Sequence, residues 1–73
     1  MNIAAKWNAG DMGCGELLIE LAMRMKRLAP GELFELTACD PGAVEDIPSW
    51  CGLTTHSLVS AQHPVYVIRR RRE

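Results

Sequence analysis

The sequence predicts an α+β fold, a two-layer sandwich in which a four-stranded mixed sheet carries two helices on one face. Apolar residues recur at strand spacing and at helical spacing in the order β-α-β-α-β-β. A right-handed crossover makes the first two strands parallel, and a tight turn makes the last two antiparallel if they pair directly. Because 73 residues can bury only one modest core, we expect a single domain over residues 1–73.

Composition places the chain in a broad class. It is 48% apolar with a formal net charge of −1, which suits a globular protein and lacks the basic excess typical of nucleic-acid binders. We therefore expect no direct nucleic-acid binding. No stretch approaches the ~20 apolar residues of a membrane-spanning helix, and the N-terminal residues do not match a secretory signal. We expect a cytoplasmic protein without membrane contact.

The first strand is predicted at Ile3–Trp7 and the first helix at Glu16–Leu28, with a glycine-punctuated loop between them. Apolar residues recur along the helix and its start at steps of three and four, namely Cys14, Leu18, Leu21, Met25 and Leu28. Pro30 and Gly31 then end the helix.

A second strand and a second helix follow. The segment Glu32–Ala38 alternates its side chains as a half-buried strand does. Asp40 is predicted to cap the second helix, with Pro41 at the first helical position. We expect a bend near Pro48 and a helix end at Gly52.

The chain closes with two strands, predicted at Thr55–Gln62 and at Val65–Arg70. Half of the basic residues stand together in the run Arg69–Arg72. This run is either a docking tail for an acidic partner or RNA, or a solvated strand end. We favour the solvated strand end.

The cysteines are Cys14, Cys39 and Cys51. An odd number without a C-x-x-C motif predicts reduced thiols rather than a disulfide framework. Combined with His56 and His63, they still lack the close ligand pairs of a structural zinc motif. No glycine-rich phosphate loop is present either. We expect no metal and no cofactor.

Cys14 is the strongest candidate for chemistry. It stands between Gly13 and Gly15 at the N-terminus of the predicted first helix. Unpaired backbone N–H groups and the helix dipole favour a thiolate there, whereas the negative charges of Asp11 and Glu16 oppose it. The alternative is a small apolar side chain that packs beneath the helix start.

The other cysteines and the histidines are assigned structural roles. Cys51, beside Trp50, is predicted to pack in the core. Cys39, after the second strand, is either a core residue or a helix-start thiol, and we favour a structural role. His56 is predicted to cap or pack at the start of a strand, and His63 to lie exposed in a turn.

Four short motifs follow one another within about twenty residues in the middle of the chain: Asp40-Pro41, Asp46-Ile47-Pro48, Trp50-Cys51 and His56-Ser57-Leu58. Together with Pro30-Gly31-Glu32 they resemble the patterns of the TusA/SirA-like family of small sulfur-carrier proteins. The resemblance extends from about Ile3 to Arg71. It implies a β-α-β-α-β-β sandwich whose last strand lies between the second and third, antiparallel to the others.

The resemblance also implies a site. The family's active cysteine stands in Cys-Pro-x-Pro at the start of the first helix, and by position it is Cys14. Gly15 and Leu17 replace the two prolines. Cys14 is thus the expected catalytic residue, and we expect Gly13, Gly15 and Glu16 to contact partner proteins.

Three functions stay open. The resemblance implies a sulfur carrier that accepts sulfane sulfur as a persulfide on Cys14. The donor would be a cysteine desulfurase or a rhodanese-type protein, and the acceptor a protein of tRNA thiolation, cofactor sulfuration or sulfur oxidation. The alternatives are a non-catalytic interaction or regulatory module and a thiol redox protein on the same fold. In each case we expect a monomer.

Overall fold

The computed structural model describes residues 2–72 and has the predicted order of elements. The strands and helices are β1 Ile3–Gly10, α1 Cys14–Met25, β2 Leu33–Ala38, α2 Ala43–Thr54, β3 Ser57–Gln62 and β4 Val65–Arg69. Across residues 2–72, neither helix has the length and apolar character needed to cross a membrane.

The four strands form one mixed sheet in the order β1-β2-β4-β3. β1 pairs with β2 in parallel, and β4 is antiparallel to both β2 and β3. The start of β4 joins the two halves, because Val65 pairs with Thr37 on one side and with Gln62 on the other. The predicted fold class is confirmed, as is the position of the last strand between the second and third.

The core lies between the sheet and both helices. On the sheet, neighbouring pairs such as Leu36 with Tyr66 and Phe34 with Ile68 face it. The helices contribute Leu17, Leu21 and Met25 from α1 and Ala43, Ile47, Trp50 and Cys51 from α2. One cluster that contains side chains of both helices requires both to lie on the same sheet face. Full burial of a large apolar side chain contributes about 1.5–3 kcal/mol, so this cluster is the main source of stability.

The first helix is shifted from its predicted limits. It begins at Cys14 and ends at Met25 rather than at Leu28. Beyond Met25 the backbone tightens, since the N–H of Leu28 bonds the carbonyl of Met25 three residues earlier, at 3.1 Å. The apolar spacing continues through this turn, which explains why periodicity alone overran the helix.

The predicted limits of the second helix are wrong at both ends. The N-cap is Gly42 rather than Asp40, and no side chain caps the helix start. At the other end α2 passes through Gly52 and stops at Thr54, where Thr55 takes the left-handed conformation with φ 64°. Asp40 does not cap α2 because its side chain accepts a hydrogen bond from Cys14 instead.

The strands differ from prediction by small shifts. β1 continues past Trp7 to Gly10 because its last residues pair with the end of β2. β3 begins at Ser57 rather than Thr55, since Thr55 ends the preceding helix.

Candidate functional site

The parallel pairing of β1 and β2 brings two loops together. The carboxyl ends of parallel neighbours lie at the same edge of a sheet, and the N–H of Cys39 donates to the carbonyl of Gly10 at 2.8 Å to join them. Each strand is followed by the N-terminus of a helix. We call this region, residues 10–16 and 39–46, the thiol end.

Cys14 is the first residue of α1 and is half-buried. Its Sγ–H donates a hydrogen bond to Oδ2 of Asp40, at 3.2 Å. Asp40 lies in the loop after β2, 26 positions away in sequence. The carboxylate that the sequence predicted as a helix cap is therefore the hydrogen-bond partner of the candidate catalytic thiol.

A second carboxylate joins the first above Gly42. Asp46 lies in the first turn of α2. A Cβ atom built at Gly42 would lie 3.0 Å from Asp40 Oδ2, 3.4 Å from Asp46 Oδ2 and 3.8 Å from Cys14 Sγ. The missing side chain at this position leaves room for both carboxylates beside the sulfur. We call Asp40 and Asp46 the acid pair.

This environment keeps the thiol protonated. The pKa of Cys14 is raised from 9.0 to about 12 by burial, then by hydrogen bonding to Asp40 and Asp46, and by their negative charges. Of the two opposing influences expected at Cys14, the helix N-terminus and nearby acids, the acids together with burial prevail in the free protein. The opposing charges are also different from those predicted, because they are Asp40 and Asp46 rather than Asp11 and Glu16.

Tyr66 interacts electrostatically with Cys14 and contacts His63. Tyr66 is buried near the start of β4, and its hydroxyl lies 2.6 Å from Nδ1 of His63. Burial raises the pKa of Tyr66, and the charge of Cys14 raises it further. The phenol and the thiol therefore oppose each other's ionisation. His63 is exposed in the turn before β4, as predicted.

The expected docking residues are close to Cys14 in the chain and open to solvent. Gly13, Gly15 and Glu16 are all exposed. A Cβ atom built at Gly13 or at Gly15 would meet nothing within 4 Å. The backbone on both sides of Cys14 is therefore open to close approach by another molecule.

The other two cysteines have different environments. Cys51 is in the core as predicted, and burial raises its pKa to about 11. Cys39 is exposed, so the expectation of a structural role in the core is wrong. All three cysteines are free. Among residues 2–72, no group of three or more His, Cys, Asp or Glu side chains is arranged to hold a metal ion.

His56 packs at the opposite end of the molecule. Its ring lies 5.4 Å from that of Trp50, and its Nδ1 accepts the backbone N–H of Arg71 at 3.0 Å. Burial lowers the pKa of His56, and the charges of Arg71 and Arg70 lower it further. The predicted packing role is confirmed.

Reasoning from the sequence assigned Asp40 to the wrong task and did not connect Asp46 or Tyr66 with Cys14. A usable signal was present in the predicted topology. Two parallel neighbouring strands place the loops that follow them side by side, so a thiol after the first strand and a carboxylate after the second belong to one site.

Comparison with known proteins decides the family. The family model of the sulfurtransferase TusA matches residues 6–72. The chain belongs to the TusA family. It is 32% identical over 74 residues to the sulfur carrier protein TusA of Pseudomonas aeruginosa, with 96% of this chain and 94% of that protein covered. Against the TusA protein of Pseudomonas paraeruginosa, identity is 34% over 68 residues, covering 88% and 86%.

TusA membership confirms the resemblance read from the sequence motifs and extends over nearly the whole chain. A third relative, the sulfur carrier protein TusA of Pseudomonas fluorescens, is 32% identical over 62 residues, covering 85% of this chain and 75% of that protein. The family and the fold therefore agree.

Proposed function

We propose that the protein carries sulfane sulfur as a persulfide on Cys14. It would receive the sulfur from a donor of the cysteine desulfurase or rhodanese type and pass it to an acceptor protein. One observation carries the proposal: in a TusA-family chain, the thiol at the first residue of α1 is partly exposed, with open backbone on both sides. Gly13, Gly15 and Glu16 are the residues proposed to meet the partners.

The transfer needs no oxidant or reductant. The sulfur of Cys14 attacks the outer sulfur of the donor's persulfide, a new S–S bond forms on Cys14, and the S–S bond of the donor breaks. The donor sulfur leaves as a thiolate and takes up the proton that Cys14 gives up. Delivery repeats the exchange, with the acceptor thiolate attacking the outer sulfur on Cys14.

The surroundings of Cys14 affect the first step most. Only the thiolate is a strong nucleophile, and the acid pair holds the resting thiol protonated. The Sγ–H bond to Asp40 Oδ2, at 3.2 Å, must therefore be given up before Cys14 attacks. We propose that the carrier is a cytoplasmic monomer that meets its partners transiently.

The test is direct loading. The reduced protein is incubated with cysteine and a cysteine desulfurase, digested without reductant, and its peptides are weighed. We expect the peptide with Cys14 to gain one sulfur atom and the peptides with Cys39 and Cys51 to gain none. The Pseudomonas aeruginosa relative serves as the positive control. Loading of that relative without loading of Cys14 would contradict the proposal.

A second candidate function is favoured by the protonated thiol. An interaction module does not need a reactive thiol, so a Cys14 thiol with a pKa of about 12 is compatible with that function as well. The two functions separate in Cys14→Ser. A module retains partner binding in a pull-down and its cellular phenotype after this change, whereas a carrier loses its transfer activity.

A further inference from the structure

We propose that the acid pair restrains Cys14 in the free protein, and that the sulfur-transfer partner releases it by placing an arginine or lysine side chain against Asp40 and Asp46. This inference rests on the proposed function, because it names the chemistry that a partner of Cys14 must present. The interaction surface is the thiol end, and the partner that fits this surface presents a cationic side chain beside its own reactive sulfur.

The thiol end is rich in acids. They are Asp11, Glu16, Asp40, Glu45 and Asp46. No lysine or arginine occurs between Trp7 and Met23 or between Leu28 and Ile68. His63, in the turn before β4, is engaged with the Tyr66 hydroxyl through its Nδ1. The protein itself therefore has no lysine or arginine here to offset the charge of the acid pair.

The cations are gathered at the opposite end. Seven of the eight basic residues stand where α1 and β4 end, namely Arg24, Lys26, Arg27, Arg69, Arg70, Arg71 and Arg72. We call this region, residues 24–28 and 69–72, the arginine end. A molecule with its charges separated in this way turns its acidic end toward a basic surface during diffusional approach. In that orientation Cys14 faces the basic surface of the partner.

A cation at the acid pair would act on the thiol in two ways. It would draw the Asp40 carboxylate into an ion pair, which weakens the acceptor of the Sγ–H bond. It would also offset the negative charges that now oppose ionisation of Cys14. Both changes increase the thiolate fraction at the moment when the donor or acceptor is docked.

The acid pair can be reached from solvent by such a side chain. Gly42 and Asp46 are exposed, and Asp40 is half-buried. A planar guanidinium suits this arrangement because its N–H donors can engage two carboxylate oxygens at once. While no partner is bound, the acid pair keeps the Cys14 thiol protonated, so the thiol reacts slowly with other electrophiles.

The first test measures alkylation of Cys14 by iodoacetamide at pH 7, read by peptide mass spectrometry. Exposed Cys39 in the same sample is the internal reference. We expect Asp40→Asn, Asp46→Asn and the double variant to alkylate Cys14 faster, by about tenfold for each pKa unit that the change removes. Glu45→Gln is the matched control, since it removes the same charge from the same helical turn without altering the acid pair. A double variant no faster than Glu45→Gln would overturn the inference.

The second test uses the unmodified protein, so it does not depend on the stability of any acid-pair variant. An amidated tetra-arginine peptide is added to the alkylation reaction, and a tetraglycine peptide is the control. We expect tetra-arginine to accelerate alkylation of Cys14 relative to Cys39, with the effect lost in the double variant and reduced by salt. An unchanged rate with tetra-arginine would overturn the release step.

The two proposals can fail separately. Alkylation requires no sulfur donor, so the restraint can be verified even if Cys14 does not accept a persulfide. Conversely, efficient loading of Cys14 together with equal alkylation rates in the double variant and in Glu45→Gln would uphold the carrier and reject the restraint.

Discussion

The thiol end and the arginine end treat the termini of the same two helices in opposite ways. At the arginine end, Arg70 Nε donates to the carbonyl of Met25 at 3.1 Å, and Arg71 Nη1 donates to the carbonyl of Thr54 at 2.7 Å. Both carbonyls belong to the last residues of the helices, and each accepts a further bond from nearby, the Met25 carbonyl from the Leu28 N–H and the Thr54 carbonyl from the Thr55 hydroxyl. At the thiol end, acidic residues stand in the first turns.

Both arrangements suit the helix dipoles, with acids at the N-termini and cations at the C-termini. The consequence differs because only one end carries a thiol. A bare helix N-terminus favours a thiolate, but the acids that match the dipole also oppose ionisation of Cys14. A feature that favours the fold therefore suppresses the reactivity of the free protein.

The run Arg69–Arg72 has a role that neither sequence-based hypothesis included. The sequence favours a solvated strand end, with a docking tail as the alternative. Two of its members instead bind the C-terminal carbonyls of the helices, and the Arg72 guanidinium lies beside Gly31. Much of the run thus has a structural role.

The largest expected effect is on persulfide loading, which should depend on the thiol end and not on the arginine end. Cys14→Ser should abolish persulfide loading, because the attacking sulfur is gone. Arg71→Ala should load at the rate of the unmodified protein, since its side chain lies at the other end. The measurement is the mass of the desulfurase-treated peptides. Loss of loading in Arg71→Ala, at a temperature where circular dichroism shows the variant still folded, would contradict the division of roles.

A smaller effect is expected from Gly42→Ala at the thiol end. The new methyl group would lie 3.0 Å from Asp40 Oδ2, so the carboxylate must move slightly, and we expect its bond to the sulfur to weaken. We expect alkylation of Cys14 to rise several-fold in the assay with Cys39 as reference.

Gly52→Ala is the matched control in the same helix, because a Cβ atom there meets nothing within 4 Å. It should leave alkylation unchanged and stabilise the protein by about 0.5–1 kcal/mol through helix propensity. Equal alkylation rates in the two alanine variants would show that the position of Asp40 does not control the thiol.

At the arginine end, Arg71→Ala should lower the free energy of unfolding by about 1 kcal/mol, since it removes the bond to the Thr54 carbonyl at the end of α2. Urea denaturation measures the change. Arg72→Ala is the comparison variant and should have a smaller effect, because its guanidinium is placed beside Gly31 rather than on a helix-terminal carbonyl. Equal losses would mean that the run acts through general charge instead.

The smallest expected effect is a pH dependence from His56. Its folded pKa is below the 6.5 of the free side chain, so below pH 6.5 the unfolded state binds more protons. The contribution of His56 is thus fully present above pH 6.5 and is lost as the pH falls through the folded pKa. His56→Gln keeps an acceptor for the Arg71 N–H without titrating. It should show a shallower loss of stability in urea titrations below pH 6.5, and an unchanged slope would contradict the assignment.

Local pattern accounted for most of the fold. The order of elements and the mixed sheet follow from spacing that each segment carries by itself, such as the strand alternation of Leu33–Ala38. Helix ends were predicted less well. Gly52 has the residue type of a helix stop, yet α2 continues to Thr54, and Arg71 binds the terminal carbonyl there. No short window of sequence contains that contact.

By itself, the sequence determined the element order, the family motifs and the choice of Cys14 as the candidate sulfur atom. Only the tertiary structure decided the state of that atom. Asp40 is 26 positions from Cys14 and reaches it because β1 and β2 are parallel neighbours whose following loops meet. Ionisation depends on burial and on charges within a few ångströms, and those distances exist only after the chain has folded.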